Sequence, residues 1–127
     1  MSCFDQLADQ HYLNIETFRK NGVGVRTPVW FVKEGDTLFV RTAANSGKVK
    51  RIRSKGQVNI AACKMNGSIL GEWLPAEARE LTGDDIVRKV DRLLDRKYGL
   101  MKKAFGLASA LQGTHYTVLE VKEREGL

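Results

Sequence analysis

Apolar and polar positions alternate with two different periods along this chain, and the changes of period mark its elements. Residues 11–20 (HYLNIETFRK) read as a short amphipathic helix ended by Asn21-Gly22, with Leu13 and Phe18 as core contacts. Beyond it the pattern turns to strand. Residues 23–33 (VGVRTPVWFVK) are rich in β-branched and aromatic types, Glu34-Gly35-Asp36 is turn chemistry, and residues 37–42 (TLFVRT) resume the strand pattern, so the two runs read as a hairpin. Asn45-Ser46-Gly47 then introduces a helix of about two turns, GKVKRIRS, with Val49 and Ile52 among basic residues. Residues 57–63 (QVNIAAC) form another strand and Met65-Asn66-Gly67-Ser68 a turn. Residues 69–81 (ILGEWLPAEAREL) form a longer strand in which Pro75 marks a bulge or an edge. Thr82-Gly83-Asp84-Asp85 is a helix start, with acids where the helix dipole favours them. The helix carries Ile86, Val90, Leu93, Leu94 and Tyr98 on one stripe and breaks at Gly99 or runs on to about Gly106. Residues 115–123 (HYTVLEVKE) make a last strand.

The expected order is therefore α-β-β-α-β-β-α-β. Strands joined by hairpins, with helices between sheet halves, indicate a mainly β protein with peripheral helices, built as an antiparallel barrel rather than a doubly wound sheet. A length of 127 residues is that of one domain, taken as 1–127, and 43% hydrophobic with 28% charged residues is a globular balance. No apolar run approaches the length of a membrane-spanning helix. The N-terminus lacks the basic and apolar stretches of a secretory signal, and Cys3 and Cys63 have neither disulfide-framework nor metal-knuckle spacing. These features together fit a reducing cytoplasm.

The net charge of +6 changes the picture more than its size implies, because five of the eight residues from Lys48 to Lys55 are basic. An excess of positive charge attracts polyanions or phosphorylated small molecules. The entry to the second expected helix has the chemistry for a phosphate: unpaired N–H groups at the helix start, Ser46 to cap or donate, and Gly47 to admit close approach. Lys48 and Arg51 lie one turn apart on the same side, and Thr42 closes the preceding strand. The competing reading is a solvated basic face. This is neither a P-loop nor a dinucleotide fingerprint. Arg26-Thr27-Pro28-Val29-Trp30 is the second feature. If Val23, Val25, Val29 and Phe31 fill the core, then Arg26, Pro28 and Trp30 face away, to floor a planar ring or to cover a subunit interface. His11 and His115 have no carboxylate–nucleophile pattern beside them, Cys63 reads as inert packing, and no motif indicates a metal. No catalytic side chain is assigned, as suits a protein whose cofactor carries the hard chemistry. Nucleic-acid binding is disfavoured, because aromatics are not interleaved with the basic residues.

The run TPVWFVKEGDTLFVRTAANSGKVKRIRSKGQVNIAAC resembles the pyridoxamine 5′-phosphate oxidase-like superfamily, and within it the small flavin- or deazaflavin-dependent oxidoreductases. The matching pieces are Thr27-Pro28-Val29-Trp30-Phe31, Gly35-Asp36, Ser46 through Arg53 and Val58-Asn59-Ile60-Ala61. Glu77-Ala78-Arg79 and Lys97-Tyr98-Gly99 follow, and the likeness covers roughly residues 12–122. The resemblance implies an FMN-binding-like split β-barrel, a homodimer with two sites at its interface, and FMN or coenzyme F-420 as cofactor. Lys48, Lys50 and Arg51 would hold the phosphate, Ser46 and Thr42 would donate hydroxyls beside Gly47, and Arg26, Thr27, Pro28, Val29 and Trp30 would lie against the ring. Hydride or electrons would pass to a small-molecule acceptor. The alternative on the same fold is a non-catalytic carrier or sensor of flavin, haem or lipid. No arginine–histidine tail follows the last strand, so oxidation of pyridoxine phosphate is not implied.

Overall fold

The computed structural model describes Phe4, Leu7, residues 9–99 and residues 115–124. Its elements are β1 (Tyr12–Phe18), β2 (Gly24–Val29), β3 (Val32–Glu34), β4 (Thr37–Ala43), α1 (Gly47–Ser54), β5 (Gln57–Cys63), β6 (Leu74–Leu81), α2 (Asp84–Tyr98) and β7 (Tyr116–Glu123). All strand pairs are antiparallel, in one seven-stranded sheet ordered β2-β1-β5-β6-β7-β4-β3. β2 and β3 follow each other in the chain yet occupy opposite margins of the sheet. The sheet must therefore curl until Trp30 and Phe31 alone carry the chain from one margin to the other. The result is a split β-barrel, mainly β with two helices, as expected.

Period-two alternation gives β1, β4, β5, β6 and β7 an inner face. Leu13 and Ile15, Leu38 and Val40, Val58 and Ile60, Ala76 and Ala78, and Leu119 and Val121 meet inside, together with Phe31 and with Val49 and Ile52 of α1. A second core forms outside the barrel. There α2 lays Val90, Leu94 and Tyr98 on Val32, Phe39 and Val118. Leu38, Phe39 and Val40 are consecutive and all buried because β4 has a core on both faces.

Several expectations are corrected. Residues 11–20 are not a helix. Leu13, Ile15 and Thr17 alternate inward as β1, and Leu13 and Phe18, five apart, do not share a helical face. The hairpin expected between 23–33 and 37–42 survives only as β3 with β4, because β2 pairs with β1 instead. Val23 is 53% exposed rather than core, whereas Phe31 is fully buried. The strand expected over 69–81 begins at Leu74, with Ile69 making only an isolated bridge to Cys63. The prolines are placed as their missing N–H requires. Pro28 lies on the margin strand β2. Pro75 sits in interior strand β6, but beyond the last β7 pair, its carbonyl accepting from Arg124 N at 3.4 Å. The helix over 84–98, its acidic start and the last strand are as expected, and α2 stops at Gly99, whose φ of 56° suits glycine. Continuation toward Gly106 lies outside the described residues, as does Cys3.

Ile60 is fully buried at the centre of the inner core. Replacing it with alanine should lower stability by about 2–5 kcal/mol, while Val23→Ala should change it by less than about 0.5 kcal/mol. Urea unfolding of both variants checks this; equal midpoints would contradict the placement of the core.

Candidate functional site

The inner core dictates how α1 sits. With Val49 and Ile52 buried in one end of the barrel, the flanks of the helix are pressed against strand ends. Lys48 Nζ donates to Thr42 Oγ1 on β4 at 2.8 Å, and Arg51 Nε donates to Thr17 Oγ1 on β1 at 2.6 Å. Both threonines are buried. The Arg51 guanidinium folds back over Gly47, where a Cβ would stand 2.7 Å from Nη1. Ser46 is the N-cap residue, with extended backbone, but its hydroxyl makes no capping bond; Oγ is buried and has no partner. Among the described residues no carboxylate stands within ion-pair distance of Lys48 or Arg51. Burial first, and then the Arg51 charge, pull the Lys48 pKa below the ordinary lysine value. Two cations therefore meet at the start of a helix whose cap hydroxyl is unpaired, with no counter-ion among the described residues.

A second cluster lies at the β2–β3 crossing, where Tyr12, Pro28, Val29, Trp30, Arg41 and Met65 line a cleft of about 390 Å³. Trp30 is half-buried, not the exposed aromatic its neighbours suggested. Its indole stacks on the Tyr98 ring at 4.3 Å with 7° between planes. Arg41 is bonded to Asp91 of α2 at 2.6 Å and lies over the Tyr116 ring at 4.3 Å. Arg41 and Thr42 are neighbours on β4 and face opposite sides, so the strand that ends in the cradle also lines the cleft.

Of the residues singled out in the sequence, Thr42, Ser46, Gly47, Lys48 and Arg51 come together as one cradle, and Pro28, Val29 and Trp30 line the cleft. Three others go elsewhere. Arg26 bonds Glu16 at 3.0 Å and covers the Trp73 ring at 4.6 Å, Thr27 pairs with Ile15, and Lys50 is exposed on the outer side of α1. Thr17, Tyr12, Arg41, Met65 and Tyr98 were not anticipated. Reading 12–18 as a strand puts Thr17 on the inner face; Tyr98 stands on the helix stripe, but nothing local in the sequence aims it at the crossing.

Tyr98 and Lys97 clasp the crossing. Phe31 N donates to Tyr98 Oη at 3.0 Å, Lys97 Nζ donates to Phe31 O at 2.9 Å, and that ammonium lies 3.5 Å from the Phe31 ring centre. Burial pulls the Lys97 pKa down to about 8 and pushes the Tyr98 phenol up.

Fold and sites together define a split β-barrel with a cationic cradle at one barrel end. No family model and no curated protein matches the sequence. Solved structures do match the fold. HutZ from Vibrio cholerae, described as a haem storage protein, superposes with a TM-score of 0.70 at 16% identity, over 99% of this chain and 93% of its own. The conserved hypothetical protein Rv2991 from Mycobacterium tuberculosis gives 0.73 at 13% identity, over 98% and 82%. A candidate pyridoxamine 5′-phosphate oxidase from Listeria innocua gives 0.66 at 11%, over 96% and 90%. At these identities the likeness establishes the fold alone.

The lowered Lys97 pKa has a consequence for stability. The unfolded chain binds a proton at this lysine up to the ordinary value of 10.5, while the folded chain releases it near about 8. Between those values the unfolded state holds more protons, so this residue's contribution to stability rises with pH. Stability of the wild type relative to Lys97→Met should be constant below about pH 7 and should rise from about pH 8 toward 10.5. Urea midpoints against pH measure it, and parallel curves would contradict the burial of the ammonium.

Proposed function

We propose that this chain binds a phosphate-bearing flavin-type cofactor, FMN or coenzyme F-420, and passes hydride or electrons to a small-molecule acceptor. The observation that carries the reading is the cradle of Lys48, Arg51 and Ser46 at the start of α1, with no carboxylate partner among the described residues. Two like charges pressed together at a barrel end repel each other, and an anion relieves that cost. Helix-terminal N–H groups add to the pull. The residues present fit a phosphate: Lys48 and Arg51 to neutralise it, Ser46 Oγ to donate, and Gly47 to let oxygens reach the backbone. Thr42 and Thr17 hold the two cations in place by accepting their other N–H bonds.

The cleft supplies what a planar ring needs, with Trp30 and Tyr12 as aromatic walls and Pro28, Val29 and Met65 as apolar lining. When bound, the cofactor ring would supply the redox chemistry. The chain's residues contribute placement and exclusion of water. Arg26, Thr27 and Lys50, assigned to the site by resemblance, stand outside both clusters and keep at most a peripheral role in this reading. A homodimer with two sites at its interface, one domain over 1–127 and a cytoplasmic location belong to the same proposal.

A second reading is a carrier or sensor of flavin, haem or lipid, and the likeness of fold to a haem storage protein keeps it in view. Nucleic-acid binding fares worse. Lys48 and Arg51 turn toward strand threonines instead of forming an outward stripe for a polyanion.

Fluorescence titration of the purified protein with FMN and, separately, with coenzyme F-420 tests the proposal. Each charge-assisted bond to phosphate is worth about 1.5–3 kcal/mol, so Lys48→Ala with Arg51→Ala should weaken binding about a hundredfold or more while circular dichroism stays that of the folded chain. A folded double variant with unchanged affinity would remove the cradle from the site. Turnover of the reduced cofactor with any acceptor separates the enzyme from the carrier.

A further inference from the structure

Phe31 makes the crossing between sheet margins and is fully buried, yet it lies outside both β2 and β3. Buried peptide groups must find partners, and here the last turn of α2 provides them. Phe31 N donates to Tyr98 Oη at 3.0 Å and Phe31 O accepts from Lys97 Nζ at 2.9 Å. The single phenolic proton is shared between two acceptors, His11 O at 2.7 Å and Phe31 O at 3.0 Å. On its ring side Tyr98 is stacked on Trp30, a wall of the cleft. One side chain thus ties together the residue before β1, the crossing and the indole. Gly99, with φ of 56°, ends the helix immediately after it and fixes which turn faces the crossing.

We infer that Tyr98 is a positioning residue for the cleft. Its hydroxyl fixes the backbone of Phe31, its ring fixes the plane of Trp30, and together they hold the indole in the orientation that a planar ligand meets. Tyr98→Phe would keep the stack but leave the Phe31 N–H unpaired and the crossing less fixed. An aromatic wall held in place before binding costs a ligand no ordering when it arrives, so its loss should appear in affinity for the ring and not for the phosphate. The inference rests on the reading that the cleft takes the cofactor ring.

The test uses the full chain with Trp73→Phe, which leaves Trp30 as the reporter, since the sequence has two tryptophans. Acrylamide quenching of Trp30 is measured without ligand in that background and in the same background with Tyr98→Phe. Affinities are then measured for FMN, for coenzyme F-420 and for inorganic phosphate. Tyr98→Phe should raise the quenching of Trp30 and weaken whichever ring cofactor binds the parent by about tenfold, while phosphate affinity stays within about twofold. Trp30→Phe in the wild-type chain, which leaves the Tyr98 bonds intact, should reproduce the selective loss. Unchanged quenching in Tyr98→Phe overturns the inference. So does an equal loss of ring and phosphate affinity, or full ring affinity in Trp30→Phe. If the parent binds neither cofactor, the cofactor reading fails, and the quenching comparison still decides whether Tyr98 holds Trp30.

Discussion

A sheet that curls until consecutive strands occupy its opposite margins must bury the residue that makes the crossing, and Phe31 is that residue. It has left one ladder and not yet joined the next, so its peptide groups cannot be satisfied by strand neighbours. The last turn of α2 answers this through Tyr98 and Lys97. That requirement fixes where α2 lies, and its other contacts follow. Val90 and Leu94 cover Phe39 and Val118, and Asp91 reaches Arg41. The cleft is the outer surface of the same crossing, because Pro28, Val29 and Trp30 are the residues that lead into it.

The opposite solution is used at the end of the barrel. There α1 buries Val49 and Ile52, and the cost of bringing Lys48 and Arg51 along is met by neutral hydroxyls. Carboxylates in place of Thr17 and Thr42 would give stronger bonds and a closed, neutral surface. Hydroxyls hold the cations without cancelling their charge, so the positive potential remains for something else to use. The contrast with Arg53 and Arg79 is informative. They are equally basic, yet each is neutralised by a carboxylate, Glu80 and Glu120 respectively, at 2.7 Å.

Much of this was legible in the sequence where a segment's local pattern and its tertiary role agree. The stripe Ile86, Val90, Leu93, Leu94 and Tyr98 marks α2 and the Ser46-Gly47 entry marks α1, while of the basic run only Lys48 and Arg51 turn in against Thr42 and Thr17. Residues 11–20 look helical when Leu13 and Phe18 are taken as a pair, but the alternation of Leu13, Ile15 and Thr17 is the stronger signal and makes them β1. The partner of β2 was hidden for a different reason. Turn chemistry at Glu34-Gly35-Asp36 reports a hairpin but not where its first strand begins, and the break at Trp30-Phe31 leaves no glycine or proline after Val29 to mark it. Trp30 was read as outward-facing, which it is with respect to the barrel. The second core, built by the distant α2 with Tyr98 stacked on the indole, half-buries it. Long-range stacking of that kind has no period.

Cradle and cleft meet on β4, and the way that strand is held couples the two. Thr42 and Arg41 are successive residues serving opposite faces, so neither can move along the strand without the other. β4 is registered against β7 over its whole length, from Thr37↔Lys122 to Ala43↔Tyr116, and against β3 at its start. A slip of one residue would exchange the faces, removing the Lys48 partner from the barrel and Arg41 from Asp91 together. Under the proposed cofactor reading, rigid placement of this kind is what the site needs, because the reactive group would be borne by the bound cofactor. Precision then comes from the ladder, and the side chains at the site need only bind and orient.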